Sequence, residues 1–339
     1  MPKIPTTLPL SGLFAVYKPS GPPSMTIVND IKPLIARSRL FVEAEKLKNA
    51  NTSQKGKGGR YNKKYARDAV KIGQGGTLDP LADGVLVVGV GKGTKKLTDF
   101  LDCVKEYRTT CLLGCETDSY DSEGARVRLA PWKHVTREQV EASLEQFRGE
   151  IMQAPPIFSA LKMDGKPLYD YARNGIPLPR PIEKRKVTVY SLDIVEWLGT
   201  DHDFRWPTKE LTDDQKKAME KALSSVAEDS TIKDEPEAEQ DSSSTPVPTA
   251  FVLRMKVSGG TYVRSVVHDL AHVVGSAGHV VTLTRSRQGR YTLAPEEEDD
   301  RGCVPWEVFT KAAENPGEPD ADGWVEWERE VMDRMEVVN

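Results

Sequence analysis

The hydrophobic residues of the chain fall into two kinds of pattern, which predict a mixture of strands and helices. Compact runs of apolar and β-branched residues predict strands, and these runs lie at 12–19, 85–90, 106–114, 186–197, 251–258 and 279–284. Apolar positions three and four residues apart predict helices, which lie at 26–35, 136–148 and 263–274. Because strands and helices do not alternate regularly, this order favours an α+β fold built on a mixed sheet.

Two segments lack this hydrophobic patterning. Residues 49–62 are rich in glycine and lysine and poor in apolar side chains, which predicts a mobile basic loop. Residues 224–249 contain six serines, three prolines and no aromatic residue, so they lack the apolar surface that a packed core needs. We therefore expect the second segment to be a disordered insertion within a domain.

Charge is unevenly distributed along the 339 residues, whose formal net charge is −4. Residues 224–249 carry −6 and residues 296–339 carry −11, which leaves +13 on the rest of the chain. The densest basic segment is 36–71, with eleven Lys and Arg residues against three acids. A positive body with acidic appendages favours a polyanionic partner, but a solvated charged surface explains the charge equally well.

Composition excludes several classes of protein. A run of about 18 apolar residues is absent, which excludes a transmembrane helix, and the first ten residues lack the pattern of a signal peptide. The four cysteines include no Cys-x-x-Cys pair, so neither a disulfide scaffold nor a zinc motif is expected. His268 and His272 lie four residues apart on a predicted helix. Since the sequence offers no third ligand in His-Glu-x-x-His form, we interpret them as structural.

The segment 73–86 combines glycines with a rigidly placed carboxylate. Three of its first four residues are glycines, which permit unusual backbone angles and the close approach of a ligand. Asp79 stands directly before Pro80, and this order predicts a junction between a loop and a short helix at 80–84. The carboxylate is therefore either a presented reactive group or an ordinary helix cap.

A second glycine-rich stretch, Gly91-Lys92-Gly93-Thr94, invites comparison with nucleotide-binding loops. Such a loop requires a glycine five residues before its Gly-Lys pair and a Ser or Thr directly after it. Leu86 and Gly93 occupy those positions here. The pattern therefore excludes nucleotide hydrolysis at this stretch.

Residues 75–86 read Gly-Gly-Thr-Leu-Asp-Pro-Leu-Ala-x-Gly-Val-Leu, and this order resembles the catalytic motif of the TruB family of tRNA pseudouridine synthases. Four further blocks resemble the family in the same order, at 16–21, 105–124, 153–175 and 258–280. The basic first insertion and the missing C-terminal RNA-binding module make the chain most similar to the eukaryotic tRNA pseudouridine-55 synthases.

The resemblance implies a pseudouridine-synthase catalytic domain over 1–300, of α+β class, with a mixed, mainly antiparallel central sheet and flanking helices. A basic insertion at 36–71 and a disordered acidic insertion at about 207–249 interrupt this domain. Residues 301–339 form an acidic extension whose tryptophans we expect to pack on the domain.

The same resemblance assigns catalytic roles to three residues. Asp79 matches the essential aspartate of a reaction that breaks the N1–C1′ bond of a uridine, turns the uracil and rejoins it through C5. A carboxylate attacks C1′ as a nucleophile or removes the 2′ proton as a base, and the sequence leaves both routes open. Tyr107 matches a tyrosine that stacks on the base and assists proton removal at C5. Arg264 matches an arginine that pairs with Asp79 and aims it.

Other residues match family positions that bind the substrate, and these are Lys18, Gln74, Tyr262, Leu283 and Lys162. Lys18 is expected to support the pocket and Leu283 to lie under the uracil. Tyr262 and Arg264, if placed at a strand end, point to the same side and share a pocket. Two positions depart from the family pattern, because Gln74 replaces a frequent histidine and Asp83 replaces a small hydroxyl residue.

The expected partner is the T-arm of tRNA. Contacts to the RNA backbone are expected from the basic insertion, at Lys55, Lys57, Arg60, Lys63 and Lys64. The resemblance implies no metal, no cofactor, no membrane, and no obligatory protein partner or guide RNA. We expect a monomer in the nucleus, the cytoplasm or both, and the resemblance leaves mitochondria open as a further compartment. The alternatives are a guide-RNA-dependent rRNA pseudouridylase subunit and a tRNA-binding chaperone without catalysis.

Overall fold

The computed structural model describes residues 7–47, 69–156, 161–174, 176–223 and 247–339. It divides the chain into two compact units. The terminal unit comprises residues 1–105 and 284–339, and the central unit comprises residues 106–283. Residues 49–62, predicted to be a mobile loop, and residues 224–246 of the acidic insertion predicted to be disordered lie outside the described residues. The disorder predicted for 207–223, the first part of that insertion, is wrong, because residues 213–223 form a helix. The predicted domain bounds, 1–300 and 301–339, stay a prediction.

The strands include all six of the predicted apolar runs. In chain order they are β1 (Gly12–Lys18), β2 (Ile72–Gln74), β3 (Asp83–Val90), β4 (Lys105–Leu113), β5 (Cys115–Thr117), β6 (Arg126–Leu129), β7 (Gly149–Gln153), β8 (Lys162–Met163), β9 (Lys166–Pro167), β10 (Arg185–Gly199), β11 (Ala250–Val257), β12 (Gly278–Gln288), β13 (Tyr291–Thr292), β14 (Cys303–Val304) and β15 (Glu336–Val337). All six predicted strands are confirmed, and β12 continues four residues beyond its predicted end.

The helices whose bounds lie within the described residues are α1 (Ser24–Arg37), α2 (Leu97–Asp102), α3 (Arg137–Ser143), α4 (Leu168–Arg173), α5 (Asp213–Leu223), α6 (Val263–Val273), α7 (Trp306–Glu314) and α8 (Glu326–Arg334). Thr136 caps α3 in a capping box with Gln139, as expected for a Thr N-cap. The predicted helix 136–148 is shorter than expected, because a 3₁₀ turn at Leu144–Phe147 ends it before β7. The helix predicted at 26–35 begins two residues earlier, at Ser24 after Pro23, and ends two residues later, at Arg37.

In the terminal unit, β3 is the central strand. It pairs antiparallel with β1 and with β2, and its first residues pair parallel with Thr284 and Arg285 of β12. Strands β14 and β15 pair with β1. Residues 84–90 of β3 are all buried, which explains why the strand reads as a continuous apolar run.

The central unit is built on the strand order β12-β4-β11-β10-β7. Strand β10 pairs antiparallel with both β11 and β7. Two hairpins, β5-β6 and β8-β9, complete the strands of this unit. The mixed, mainly antiparallel sheet with flanking helices is therefore confirmed.

The C-terminal residues pack within the terminal unit. Trp324 and Trp327 are each only 3% exposed, and the ring of Trp327 stacks on Phe41 at 6.3 Å between centroids. This burial confirms the expected packing of these two tryptophans, while Trp306 is half-buried. Among the described residues, the helices are all too short or too polar to cross a bilayer.

Candidate active site

The loop that carries Asp79 joins β2 to β3, and its backbone is held by hydrogen bonds at successive carbonyl groups. The carbonyl oxygens of residues 77–82 each accept at least one hydrogen bond. Their donors are the side chains of Lys18, Ser20, Ser24 and Arg285 and the amides of Gly21 and Ala82. Backbone groups satisfied in this way leave the loop little freedom, so the half-buried Asp79 stands on a fixed backbone.

The predicted helix at 80–84 is wrong. Within the described residues, 80 and 81 form a bend and β3 already begins at Asp83. The carbonyls of Pro80, Leu81 and Ala82 are occupied by Lys18 and Ser20. Gly84 has φ of +104°, which is outside the helical region. Asp79 is therefore a loop residue before a strand and does not cap a helix.

Lys18, the last residue of β1, is fully buried and donates to three backbone carbonyls. Its Nζ lies 2.6 Å from the Ala82 oxygen, 3.2 Å from that of Pro80 and 2.9 Å from that of Pro19. Desolvation lowers the pKa of Lys18 to about 8, although the nearby charges of Asp83 and Asp79 act in the opposite direction. The lysine lies within the electrostatic reach of Asp79 and supports the loop backbone through these hydrogen bonds, while its role toward the substrate stays a prediction.

Gln74 and Asp83, the two departures from the family pattern, lie at either end of this loop. Gln74 is the last residue of β2, and its Nε2 lies 3.4 Å from Thr77 Oγ1. Its Oε1 is buried without a hydrogen-bond partner among the described residues. Asp83 begins β3 and accepts a hydrogen bond of 3.4 Å from the Tyr17 hydroxyl. Because no helix forms here, Asp83 and Asp79 do not share a helix face.

In the central unit, Tyr107 lies near the start of β4 and Leu283 lies on β12. Tyr107 is 7% exposed and Leu283 is 6% exposed. The two strands are joined near these residues, since Thr109 Oγ1 donates to the Thr282 carbonyl at 2.8 Å. Each strand thus carries one buried side chain that is predicted to line the substrate pocket. It is aromatic on β4 and aliphatic on β12.

Arg264 lies in the first turn of α6 and is paired inside the central unit. Its Nη1 donates to the Ser119 carbonyl, and its Nε lies 3.7 Å from Asp121 Oδ2. Both side chains of this pair are 6% exposed. Asp121 is itself held by Ser119 Oγ at 2.6 Å and by the Glu123 amide at 3.1 Å. The orientation of Arg264 is therefore fixed before any substrate binds, while its pairing with Asp79 stays a prediction.

Tyr262 precedes α6 and is not on a strand, so the expectation that it shares a strand face with Arg264 is wrong. The side chain of Gln153 holds the Tyr262 backbone through two hydrogen bonds. Gln153 Nε2 donates to the Tyr262 carbonyl at 2.9 Å, and Gln153 Oε1 accepts from the Tyr262 amide at 2.8 Å. The guanidinium of Arg185 lies over the Tyr262 ring, 4.8 Å from its centroid. The ring thus belongs to a separate set of contacts from those of Arg264.

The expected RNA contacts are only partly described. Lys162 is exposed on the β8-β9 hairpin, which is the position that a contact to RNA requires. The hairpin is anchored by Met163, whose side chain is buried with Leu168 and Tyr171. The five basic residues of the insertion, Lys55, Lys57, Arg60, Lys63 and Lys64, lie outside the described residues.

His268 and His272 form a network with Glu116, a residue of β5. The ligand atoms of the three side chains lie within 4.8 Å of one another, so the structure supplies a third group that the sequence pattern lacked. However, Arg128 Nε lies 2.8 Å from Glu116 Oε2, and its Nη2 lies 3.1 Å from His272 Nε2. Because a guanidinium already neutralises the carboxylate, we assign the group as an ion-pair network.

Burial and hydrogen bonding compete in this network. Burial disfavours the charged imidazole of His268, but its contacts with Asp269 and Glu116 outweigh this effect and raise its pKa to about 9. Burial likewise favours the neutral acid at Glu116, but hydrogen bonds to both histidines hold its pKa well below the usual range. Tyr120 stacks on His268 at 3.9 Å between centroids. Through this ring contact the network adjoins the loop whose Ser119 and Asp121 bind Arg264.

Comparison with known proteins identifies the family. A sequence model of the TruB family pseudouridylate synthase N-terminal domain matches residues 63–212. The tRNA pseudouridine synthase 4 of Schizosaccharomyces pombe is 34% identical over 361 aligned residues, which cover 93% of this chain and 84% of that protein. The chain belongs to the TruB family. The tRNA pseudouridine synthase 4 of Saccharomyces cerevisiae is 35% identical over 316 residues, covering 84% of this chain and 78% of that protein.

The TruB-family assignment agrees with the fold. A chain from a crystal structure of a Cbf5-Nop10-Gar1 complex superimposes with a TM-score of 0.50 at 19% identity. The match covers 96% of this chain and 60% of that chain. At this identity the likeness supports the α+β fold with a mixed sheet, and the resemblance found from the sequence motifs is confirmed by the family match.

Sequence reasoning missed most of the residues that hold the site. Ser24, Arg285 and Gln288 bind the backbone around Asp79, and Gln153 binds that of Tyr262. These contacts join residues that are 54 to 213 positions apart in the chain. A pattern that reads neighbouring residues has no signal for them. Only the family blocks, which include Asp121 and Gln153, marked some of these positions.

Proposed function

We propose that this chain is a stand-alone tRNA pseudouridine-55 synthase, which isomerises the T-loop uridine of tRNA to pseudouridine. The observation that carries the proposal is the TruB-family motif with Asp79 on a loop whose carbonyls are hydrogen-bonded from residue 77 to residue 82. Relatives that align with most of the chain are named tRNA pseudouridine synthases. A carboxylate held in this manner suits a reaction in which the attacking group must be aligned before the bond breaks.

Asp79 supplies the reactive carboxylate. The N1–C1′ bond of the uridine breaks with Asp79 acting either as a nucleophile at C1′ or as a base toward the 2′ proton. The uracil then turns, and a C5–C1′ bond forms. The hydrogen on C5 is released to solvent and N1 gains a proton, so the reaction is an isomerisation that balances without an external oxidant, reductant or group donor.

Residues of the central unit act on the base. Tyr107, which is buried on β4, stacks on the uracil and assists removal of the C5 proton. Leu283 supplies an apolar surface for the same ring. Arg264, whose orientation is fixed by Asp121, pairs with Asp79 and aims its carboxylate. These roles follow the family motif and give each buried side chain a function in the reaction.

The target uridine must leave the folded T-loop of the tRNA before the reaction. A uridine within a folded T-loop is out of reach of the half-buried Asp79 carboxylate, so it is flipped into the pocket. Stacking on an aromatic ring, at about 1–3 kcal/mol per base, offsets part of the unstacking cost. The basic insertion and Lys162 hold the tRNA backbone, so neither a guide RNA nor a protein partner is needed and the chain acts as a monomer.

The decisive experiment measures pseudouridine formation on an unmodified tRNA transcript, with no guide RNA. Tritium release from C5-labelled uridine, followed by mapping of the modified position, reports the reaction. Wild type is expected to modify the T-loop uridine, and Asp79→Asn is expected to lose activity by at least about 10³-fold. Asp83→Asn is the matched control, since it changes a neighbouring aspartate and should retain activity. A product that forms only with guide RNA, or equal rates for wild type and Asp79→Asn, contradicts the proposal.

A further inference from the structure

Arg285 is among the largest fully buried side chains, with 1% of its surface exposed. It lies on β12 directly beside Gly84 of β3. A Cβ atom at Gly84 would lie only 2.3 Å from the Arg285 carbonyl oxygen. The two backbones therefore approach closely at the point where the Asp79 loop enters β3, and this approach requires glycine.

The guanidinium of Arg285 connects the two ends of the Asp79 loop. Its Nε donates to the Val85 carbonyl at 2.8 Å, and its Nη1 donates to the Thr77 carbonyl at 3.3 Å. Three residues further along β12, Gln288 Nε2 donates to the Gly75 carbonyl. One short segment of β12 thus binds the loop before and after Asp79.

Stability of the fold does not explain why an arginine occupies position 285. Its Nη2 is buried without a hydrogen-bond partner among the described residues, and the hydrogen bonds of its Nε and Nη1 go to carbonyls and not to a carboxylate. A buried charge without a counterion is expensive, and an apolar side chain of similar volume fills the same space without that cost. The guanidinium N–H groups, by contrast, make two directional hydrogen bonds, which an apolar side chain cannot make.

We propose that Arg285 is a positioning residue for Asp79, which it aligns by bridging the Thr77 and Val85 carbonyls on either side of the catalytic loop. The proposal rests on the proposed function, because alignment matters only if Asp79 performs the reaction. The guanidinium also places a positive charge beside the loop, where it adds to the charge of Lys18. Arg285 acts through the backbone, because its hydrogen bonds among the described residues go to the Val85 and Thr77 carbonyls.

The test compares Arg285→Met with Arg287→Met in the full-length chain. Arg287 lies two residues further along the same strand and pairs with Asp300, with its Nη2 2.9 Å from Oδ2. Both changes remove a partly or fully buried guanidinium, so both should destabilise the fold. At a temperature where both variants are folded, Arg285→Met is expected to lower the single-turnover rate at saturating tRNA about 100-fold. Arg287→Met is expected to keep the wild-type rate, and both should keep the wild-type Kd for tRNA.

Three outcomes overturn the inference. One is a wild-type rate for Arg285→Met, and another is a rate loss that follows the loss of stability equally in both variants. If Arg285→Met does not fold, Arg285→Lys is used instead, because lysine keeps the positive charge but lacks the guanidinium that bridges the two carbonyls. We expect a rate about tenfold below wild type for Arg285→Lys, and a wild-type rate is the third contrary outcome.

Hydrogen exchange separates this inference from the proposed function. The amides of the loop are expected to exchange faster in Arg285→Met than in Arg287→Met, because the bridge between Thr77 and Val85 is removed. If wild type has no activity on tRNA, the proposed function fails. Independently of that result, unchanged exchange of the loop amides in Arg285→Met would show that Arg285 does not hold the loop.

Discussion

The hydroxyl of Ser24 binds both backbone groups of Leu78, the residue directly before Asp79. It accepts a hydrogen bond from the Leu78 amide and donates one to the Leu78 carbonyl, each at 2.8 Å. Ser24 is the first residue of α1 and is 1% exposed. The start of a helix near the N-terminus thus fixes the backbone of the catalytic loop 54 residues later.

Replacing Ser24 by alanine should weaken both the fold and the reaction. Two buried backbone groups of Leu78 lose their partner, which should lower the free energy of unfolding by about 2–4 kcal/mol. The loosened loop should lower the turnover rate on tRNA about tenfold. Urea denaturation and tritium release measure the two effects. Ser20→Ala is the control, because it removes a single exposed bond to the Leu81 carbonyl, and equal effects of the two changes contradict the prediction.

The buried pair of Arg264 and Asp121 should be sensitive to a neutral isostere. Asp121→Asn removes the carboxylate charge that lies 3.7 Å from the buried Arg264 Nε, which should lower the free energy of unfolding by about 3 kcal/mol. The rate on saturating tRNA should fall about 100-fold, because Arg264 is no longer held in one orientation. Asp118→Asn is the control in the same loop, where Asp118 binds the Ala125 amide at 3.0 Å. A wild-type rate for Asp121→Asn would show that Arg264 needs no such support.

The ion-pair network around His268 predicts a specific pH dependence of stability. The pKa of His268 is raised from 6.5 to about 9 in the folded chain, where hydrogen bonds to Asp269 and Glu116 outweigh desolvation. Since the folded state binds the proton more tightly, its contribution is fully present below pH 6.5 and is lost as the pH rises to about 9. The contribution is at most on the order of 3 kcal/mol.

This dependence is measured by urea denaturation of wild type and His268→Gln between pH 6 and pH 9.5. The wild-type advantage should be largest at the acid end and should shrink steadily toward pH 9. Glu116, whose pKa is lowered, titrates below this range, so it does not contribute to the difference. A difference that stays constant across the range would mean that His268 stabilises the chain by packing against Tyr120 and not by its charge.

The sequence alone predicted the strands of this protein better than its catalytic loop. Strand β3 was recognised because its residues are apolar and buried on both faces. The loop was misread as a helix because Asp79-Pro80 is a common helix start. What decides the loop conformation is the capture of its carbonyls by Lys18, Ser20 and Ser24, and such long-range contacts have no local signal.

The site residues divide in the same way. Asp79, Tyr107 and Arg264 were identified through family motifs, in which the order of the residues carries the information. Arg285 follows Leu283 by two positions, but no sequence motif marks it. An arginine next to a β-branched run is ordinarily expected at the surface. Its burial depends on the partner backbone of β3. Residues that hold other residues in place are therefore found from three-dimensional contacts.

The basic insertion should control tRNA affinity and leave the chemical step unchanged. A variant with glutamine at all five basic positions, Lys55, Lys57, Arg60, Lys63 and Lys64, no longer neutralises the phosphates that these side chains bind, so the Kd for tRNA should rise. The slope of log Kd against log salt concentration should fall by up to about 4, or roughly 0.7–0.9 for each phosphate that is no longer neutralised. At saturating tRNA the single-turnover rate should remain that of wild type, because Asp79 and its loop are untouched. Asp79→Asn should show the opposite result, with a normal salt slope and no product. An unchanged salt slope in the glutamine variant would place the phosphate contacts elsewhere on the positive body of the chain.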